Sequence, residues 1–297
     1  MQADPFGIQK IKKAGTPMDR SRFTPRLFFL SAALLSLLGA AIRTAAYLTA
    51  FDTQVGYLDA GIWTSLSRCL YFITPAILIA IAIAIPKDAL STAPRHTYRM
   101  AAAIPMAVIL VAFTVTVFIV CPPAQGSALM FAALLGIPAA LYYGFSSVKS
   151  TRSSDLVSIL GFLPVIWCIA AVADLYFDVF VTMNSPIKTS LHVGLLGFMA
   201  TNLSELRFRI GRSLPRVALV FFGLGSFTCL TAAVPLLVAT GARVLDHRLH
   251  LMYAAVLLVA GLYNLYLLFL HTRLPLPAEN TGEQASVPES TDQGGTD

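Results

Sequence analysis

The stretch MAAAIPMAVILVAFTVTVFIVC, residues 100–121, decides the fold class, because it holds no charged residue from end to end. Laid out as a helix at about 1.5 Å per residue, it matches a hydrocarbon layer about 30 Å thick. Backbone amides in lipid have no water to bond, so a run of this kind satisfies itself only as a helix. A helix on the core of a soluble protein would alternate apolar and polar faces, and this run does not.

Runs of comparable length lie on either side, at 27–49, 62–85, 127–147, 156–182, 188–206, 216–239 and 250–271, each bounded by charge, Pro or Gly. The whole chain is 57% apolar and 12% charged, against about 25% charged in soluble proteins. The expectation is an all-α polytopic transmembrane bundle of about eight spans, residues 27–271. A basic tail, 1–26, precedes it. Residues 272–297, rich in Glu, Ser, Thr, Gly and Pro, lack an apolar pattern and read as a disordered tail.

The placement of Lys and Arg sets an orientation. Lys10, Lys12, Lys13, Arg20, Arg22 and Arg26 precede span one. Lys87, Arg95, Arg99, Lys149 and Arg152 fall between later spans on the same side, as do Arg207, Arg209, Arg212, Arg216 and Arg273. The opposite side holds Lys188, Arg243 and Arg248, while Arg43 and Arg68 lie within spans. This bias predicts both termini in the cytoplasm of a multi-pass plasma-membrane protein, as in a bacterial inner membrane. It also accounts for the net charge of +6 without nucleic acid, so the expected partner is the lipid bilayer. A competing reading treats residues 27–41 as a secretory signal. Arg43 and the apolar stretch after it favour an uncleaved span.

Prolines punctuate the pattern. Pro86 and Pro122–Pro123 close spans, Asn184-Ser185-Pro186 makes a tight turn, and Pro75, Pro105, Pro138 and Pro164 should kink the spans that hold them. Tyr47, Tyr57, Trp63 and Tyr71 gather where an outer aromatic belt is expected.

Ionisable residues inside spans cost about 2.5–3.5 kcal/mol each on insertion scales, which makes them the first places to look for function. Arg43, Arg68, Asp174 and Asp178 fall at similar depth and their charges sum to zero. They are the candidate polar cluster. Asp52, His192 (four residues after Lys188) and Glu205 are secondary candidates. Two readings stay open. The cluster lines an outward-facing cavity for a small solute or ion, or the arginines snorkel to the interface and fix helix register. Glu205 and Arg209 form an i,i+4 pair at the inner end of span six, either as a charged helix end or as a gate or docking point. Asn264 reads as interhelical glue.

Cys69, Cys121, Cys168 and Cys229 are widely spaced and read as small buried hydrophobes, with a Cys69–Cys121 disulfide conceivable on one side. No two histidines lie four apart within a span, as a helix-borne metal or haem pair would often require, and no phosphate loop, HExxH or nucleophile elbow is present. No cofactor, metal or catalytic residue is therefore expected. The functional expectation is a membrane protein that binds or transports a small solute or ion. The alternative is a non-catalytic sensor or scaffold acting through the basic loop 207–216.

One resemblance adds to this. Asp52-Thr-Gln-Val-Gly56-Tyr57 follows a first span bearing Arg43. Asn184-Ser-Pro186-Ile-Lys188 opens span six, and Glu205-Leu-Arg207, Gly211 and Pro215-Arg216 close it. This combination resembles a group of uncharacterised polytopic, about eight-span, membrane proteins of clostridia-like Gram-positive bacteria. Val55 stands where that group often carries a threonine. The resemblance implies no activity, substrate or cofactor, and it directs attention to Asp52, Gly56 and Glu205.

Overall fold

The computed structural model describes residues 18–52, 56–86, 100–120, 127–148, 155–178, 185–210, 212, 214–244 and 248–273. Within them the chain forms α1 (Met18–Ala50), a minimal hairpin of β1 (Phe51–Asp52) and β2 (Tyr57–Leu58), α2 (Ile62–Ala84), α3 (Met100–Val120) and α4 (Ser127–Ser147). It continues with α5 (Asp155–Leu160), α6 (Leu163–Phe177), α7 (Pro186–Arg209), α8 (Pro215–Gly241) and α9 (Arg248–Arg273). Among the described residues, seven stretches are long and apolar enough to cross a membrane, with α5 and α6 counted as one broken span. The chain is an all-α, multi-pass membrane protein.

The remaining membrane-length helix, α7, has 24 residues but carries Lys188, Asn202, Glu205, Arg207 and Arg209. It reaches from the end of the bundle where α1 finishes, at Arg43, to the end where α4 finishes, at Tyr142. Its polar side chains turn inward: Lys188, Asn202, Glu205 and Arg209 are buried, while Thr189, Leu196 and Leu203 form an exposed stripe at heptad spacing. Arg207 is exposed near the carboxyl end, and packing against α6, α8 and α9 encloses the rest. Seven of the eight expected runs coincide with these stretches, and the eighth, 188–206, falls on α7.

Several boundaries differ from the expectation. Helix α1 begins at Met18, inside the basic tail, and contains Pro25. Span five stops at Phe177, so Asp178 is a C-cap residue whose N–H donates to the Asp174 carbonyl. That span is broken at Gly161–Phe162, and Pro164 sits in the first turn of α6, where its missing N–H costs nothing. The hairpin was not expected. Asp52 pairs with Tyr57, and Gly56 closes the turn at φ +76°, with its N–H 2.8 Å from the Asp52 carbonyl. Residues 1–17 and 274–297, Asn184 and most of the basic loop residues lie outside the described residues. Cys121 does too, while Cys69 is free and exposed.

Helix α8 is the hub, packed most extensively against α9, α1 and α7. Small residues permit the closest approach: a Cβ on Gly225 would run into Thr201 Oγ1 and stand 2.8 Å from Asn264 Nδ2, and one on Gly197 would meet Thr228. Open ends are closed by side chains. The Ile85 carbonyl, just past α2, accepts from Arg216 Nη2 at 2.6 Å and Nε at 3.1 Å. Gly225→Ala should therefore destabilise the protein by about 1–3 kcal/mol through overpacking, despite the gain in helix propensity. Gly144→Ala, which meets nothing within 4 Å, should not. Melting temperatures of the two purified variants check this, and equal values would refute the close α7–α8 packing.

Candidate functional site

The first turns of α7 set the geometry. Ser185 caps the helix, accepting from the Lys188 N–H at 3.3 Å, and Pro186 stands at its first position. Pro186 and Ser190 are four residues apart and share a face. Lys188 lies about 200° around the helix from Pro186, on the opposite side. The amino end of α7 therefore stands between two sets of polar groups that the sequence placed together at one depth.

On one side is Arg43. Its Nη1 donates to Ser67 at 3.4 Å, and its Nη2 donates to the Pro186 carbonyl at 3.2 Å and to Ser190. The rings of Tyr71 and Tyr47 lie 5.2 and 5.7 Å from its guanidinium carbon. Among the described residues no carboxylate pairs with Arg43 or with Arg68, which is exposed. Both arginines line a cavity of 390 Å³ between α2 and α7. Its polar lining is completed by Thr64, Ser67, Thr189 and Ser190, and its apolar walls by Tyr71, Phe72, Val193 and the hairpin residues Tyr57 and Leu58. Thr64 is only 3% exposed, yet its Oγ1 has no hydrogen-bond partner, and neither has the buried Nε of Arg43.

On the other side are the aspartates. The Tyr253 hydroxyl donates to Asp174 Oδ2 at 2.8 Å, and His250 Nε2 stands 3.4 Å from Asp178 Oδ2. An i,i+4 pair at the end of α6 thus faces an i,i+3 pair on α9. Lys188, 1% exposed, donates from Nζ to the Asp178 carbonyl at 2.5 Å. His192 is half-buried and its Nε2 lies 3.2 Å from the Val172 carbonyl. The expected single cluster of Arg43, Arg68, Asp174 and Asp178 is therefore corrected to two sites. Equal depth does not imply equal azimuth, and α7 fills the space between. Asp52 sits in the hairpin outside the cavity lining.

Glu205 is not a charged helix end. It is fully buried, accepting from Tyr142 at 3.0 Å and Tyr263 at 2.7 Å, with Arg209 Nη2 at 3.5 Å. Arg209 also donates to Ser146 at 2.9 Å and lies over the Tyr142 ring. Tyr143 donates to Asn202 Oδ1 at 2.7 Å, extending the network. A group so enclosed is no docking point. Its chemistry is that of a structural lock, in which every member holds a neighbour. The tyrosines at 142, 143, 253 and 263 were missed in the sequence, although phenols in mid-span needing polar partners were the available signal. Thr64 and Ser67 were missed too. Hydroxyls three apart on the buried face of α2, which also carries Thr74, were the trace they left.

Among the described residues no group of three His, Cys, Asp or Glu is set to hold a metal ion. No protein-family model, curated protein or solved structure matches the chain.

Removing one partner of a buried ion pair strands the other, at about 3–5 kcal/mol. Glu205→Ala should lose about that much stability, and Tyr263→Phe about 1–3 kcal/mol. Exposed Arg207→Ala should change it by less than about 0.5 kcal/mol. Thermal unfolding of the three purified variants checks the order, and a Glu205→Ala protein that melts with wild type would refute the lock.

Proposed function

We propose that the protein binds a small anionic solute in the cavity between α2 and α7. The observation that carries this reading is Arg43. Its guanidinium is permanently charged and sits inside a membrane bundle without a carboxylate among the described residues. Its surroundings sharpen the need. The first two turns of both α2 and α7 line the cavity, and helix amino ends carry partial positive charge that favours anions and disfavours cations. Tyrosine faces and hydroxyls soften the cost of the guanidinium without cancelling its charge. A bound anion supplies the charge that is missing, and the unpartnered Thr64 hydroxyl supplies a ready donor to it.

With the amino terminus inside, as the Lys and Arg distribution favours, the cavity opens at the outer face of the plasma membrane. Anion recognition there serves uptake, export or sensing equally. A scaffold working through loop 207–216 has less support. Arg209 is buried with Glu205, and Arg216 is engaged with Ile85, which leaves fewer arginines to meet a partner.

The test is thermal unfolding of purified protein across sodium salts of different anions, then across chlorides of different cations. A bound anion adds stability according to its occupancy, so Tm should follow anion identity in wild type and become indifferent to it in Arg43→Gln. A Tm that follows the cation, or an unchanged anion response in folded Arg43→Gln, would overturn the reading.

A further inference from the structure

The geometry points to an organic monoanion with an apolar body as the ligand, a carboxylic acid rather than phosphate or an inorganic ion. This rests on the cavity being an anion site, as proposed above. Donors at depth beside the cavity stand uncommitted among the described residues. They include Arg43 Nε–H, the Thr64 hydroxyl, and the Ser67 hydroxyl, whose oxygen accepts from Arg43 while its hydrogen donates to none of the described residues. These donors, with a single buried guanidinium, suit the two oxygens and single charge of a carboxylate. A phosphate monoester brings three oxygens and about −1.5 to −2 charges. It would call for a second cation at depth, and Arg68 is exposed at the rim.

The volume argues for a body attached to that head. A cavity of 390 Å³ far exceeds the roughly 10–15 Å³ that one water requires, and is more than an acetate or a bare ion fills. Beyond the polar end its wall is made by the Tyr71 ring, Phe72, Val193 and Leu58, surfaces that favour carbon over water. The cavity borders the exposed edge of the bundle. Phe72 is 81% exposed, and Thr189 belongs to the exposed stripe of α7. A ligand with a charged head and an apolar tail therefore enters sideways between α2 and α7, with its head reaching Arg43 and its body against the aromatic wall.

Calorimetric titration of the full chain in phosphatidylcholine nanodiscs tests this with benzoate, acetate, inorganic phosphate and benzyl alcohol. Benzoate should bind at least about tenfold more tightly than acetate or phosphate, because its ring is buried. Thr64→Val, which keeps the side-chain shape, should weaken benzoate about tenfold. Val193→Phe, which fills the apolar wall, should weaken benzoate and leave acetate unchanged. Acetate or phosphate binding as tightly as benzoate would overturn the apolar body while leaving the anion site standing. Benzyl alcohol matching benzoate, or no anion binding at all, would overturn both. Loss of benzoate binding when phosphatidylglycerol replaces half of the lipid would show that a lipid headgroup owns the cavity, and would overturn the organic acid as ligand.

Discussion

The constraint on which the structure depends is the enclosure of α7. A helix carrying a lysine, an asparagine, a glutamate and two arginines cannot face hydrocarbon, where each charge costs several kcal/mol. It survives by presenting Thr189, Leu196 and Leu203 outward and turning its ionisable and amide groups, apart from Arg207, toward neighbours. Helices α6, α8 and α9 exist around it as a sheath. Glycines at 194, 197 and 225 let that sheath close tightly enough to exclude lipid. Both polar regions of the molecule are consequences of where the two ends of α7 come to rest.

The two ends behave differently, and the contrast locates the site. Around Glu205 the buried charges are matched within the protein: the carboxylate meets two phenols and a guanidinium, and Arg209 also donates to the Ser146 hydroxyl. Such a network rigidifies. Around Arg43 the arrangement is unfinished. Its hydroxyl and carbonyl partners leave one unit of positive charge unmatched among the described residues. A cavity borders it, and a buried threonine hydroxyl there has nothing to bond. Stability alone does not explain a charge left in this state, because an apolar residue in its place would avoid the cost. The proposed anion accounts for it.

Much of this architecture was legible in the sequence, for a physical reason. Runs such as 100–120 and 62–84 are dictated by the thickness of the bilayer, which one residue string encodes completely. The run at 188–206, expected as a span from the alternation of Lys and Arg, falls on the 24-residue helix α7. The depth of Arg43, Arg68, Asp174 and Asp178 was readable for the same reason. Their azimuth was not. Which face of α7 meets α1 and which meets α6 depends on packing among helices far apart in the chain, so one expected cluster became two. The partners His250 and Tyr253, and the Thr64 and Ser67 hydroxyls, belong to the same class of information. The hairpin at Phe51–Leu58 escaped because a two-residue ladder carries almost no periodicity. Gly56, at positive φ, was its one local sign.

The central claim is that the Arg43 guanidinium is neutralised by a bound carboxylate. The most direct measurement is solid-state NMR dipolar recoupling between arginine ¹⁵Nε and ¹³C-carboxyl benzoate in membranes holding the full chain, with Arg43→Lys as the control. The account predicts dephasing that corresponds to an N–C separation within about 4 Å, present in wild type and absent from the Arg43→Lys protein. Benzoate that saturates the protein yet shows no dephasing in wild type, or the same dephasing in both, would contradict it.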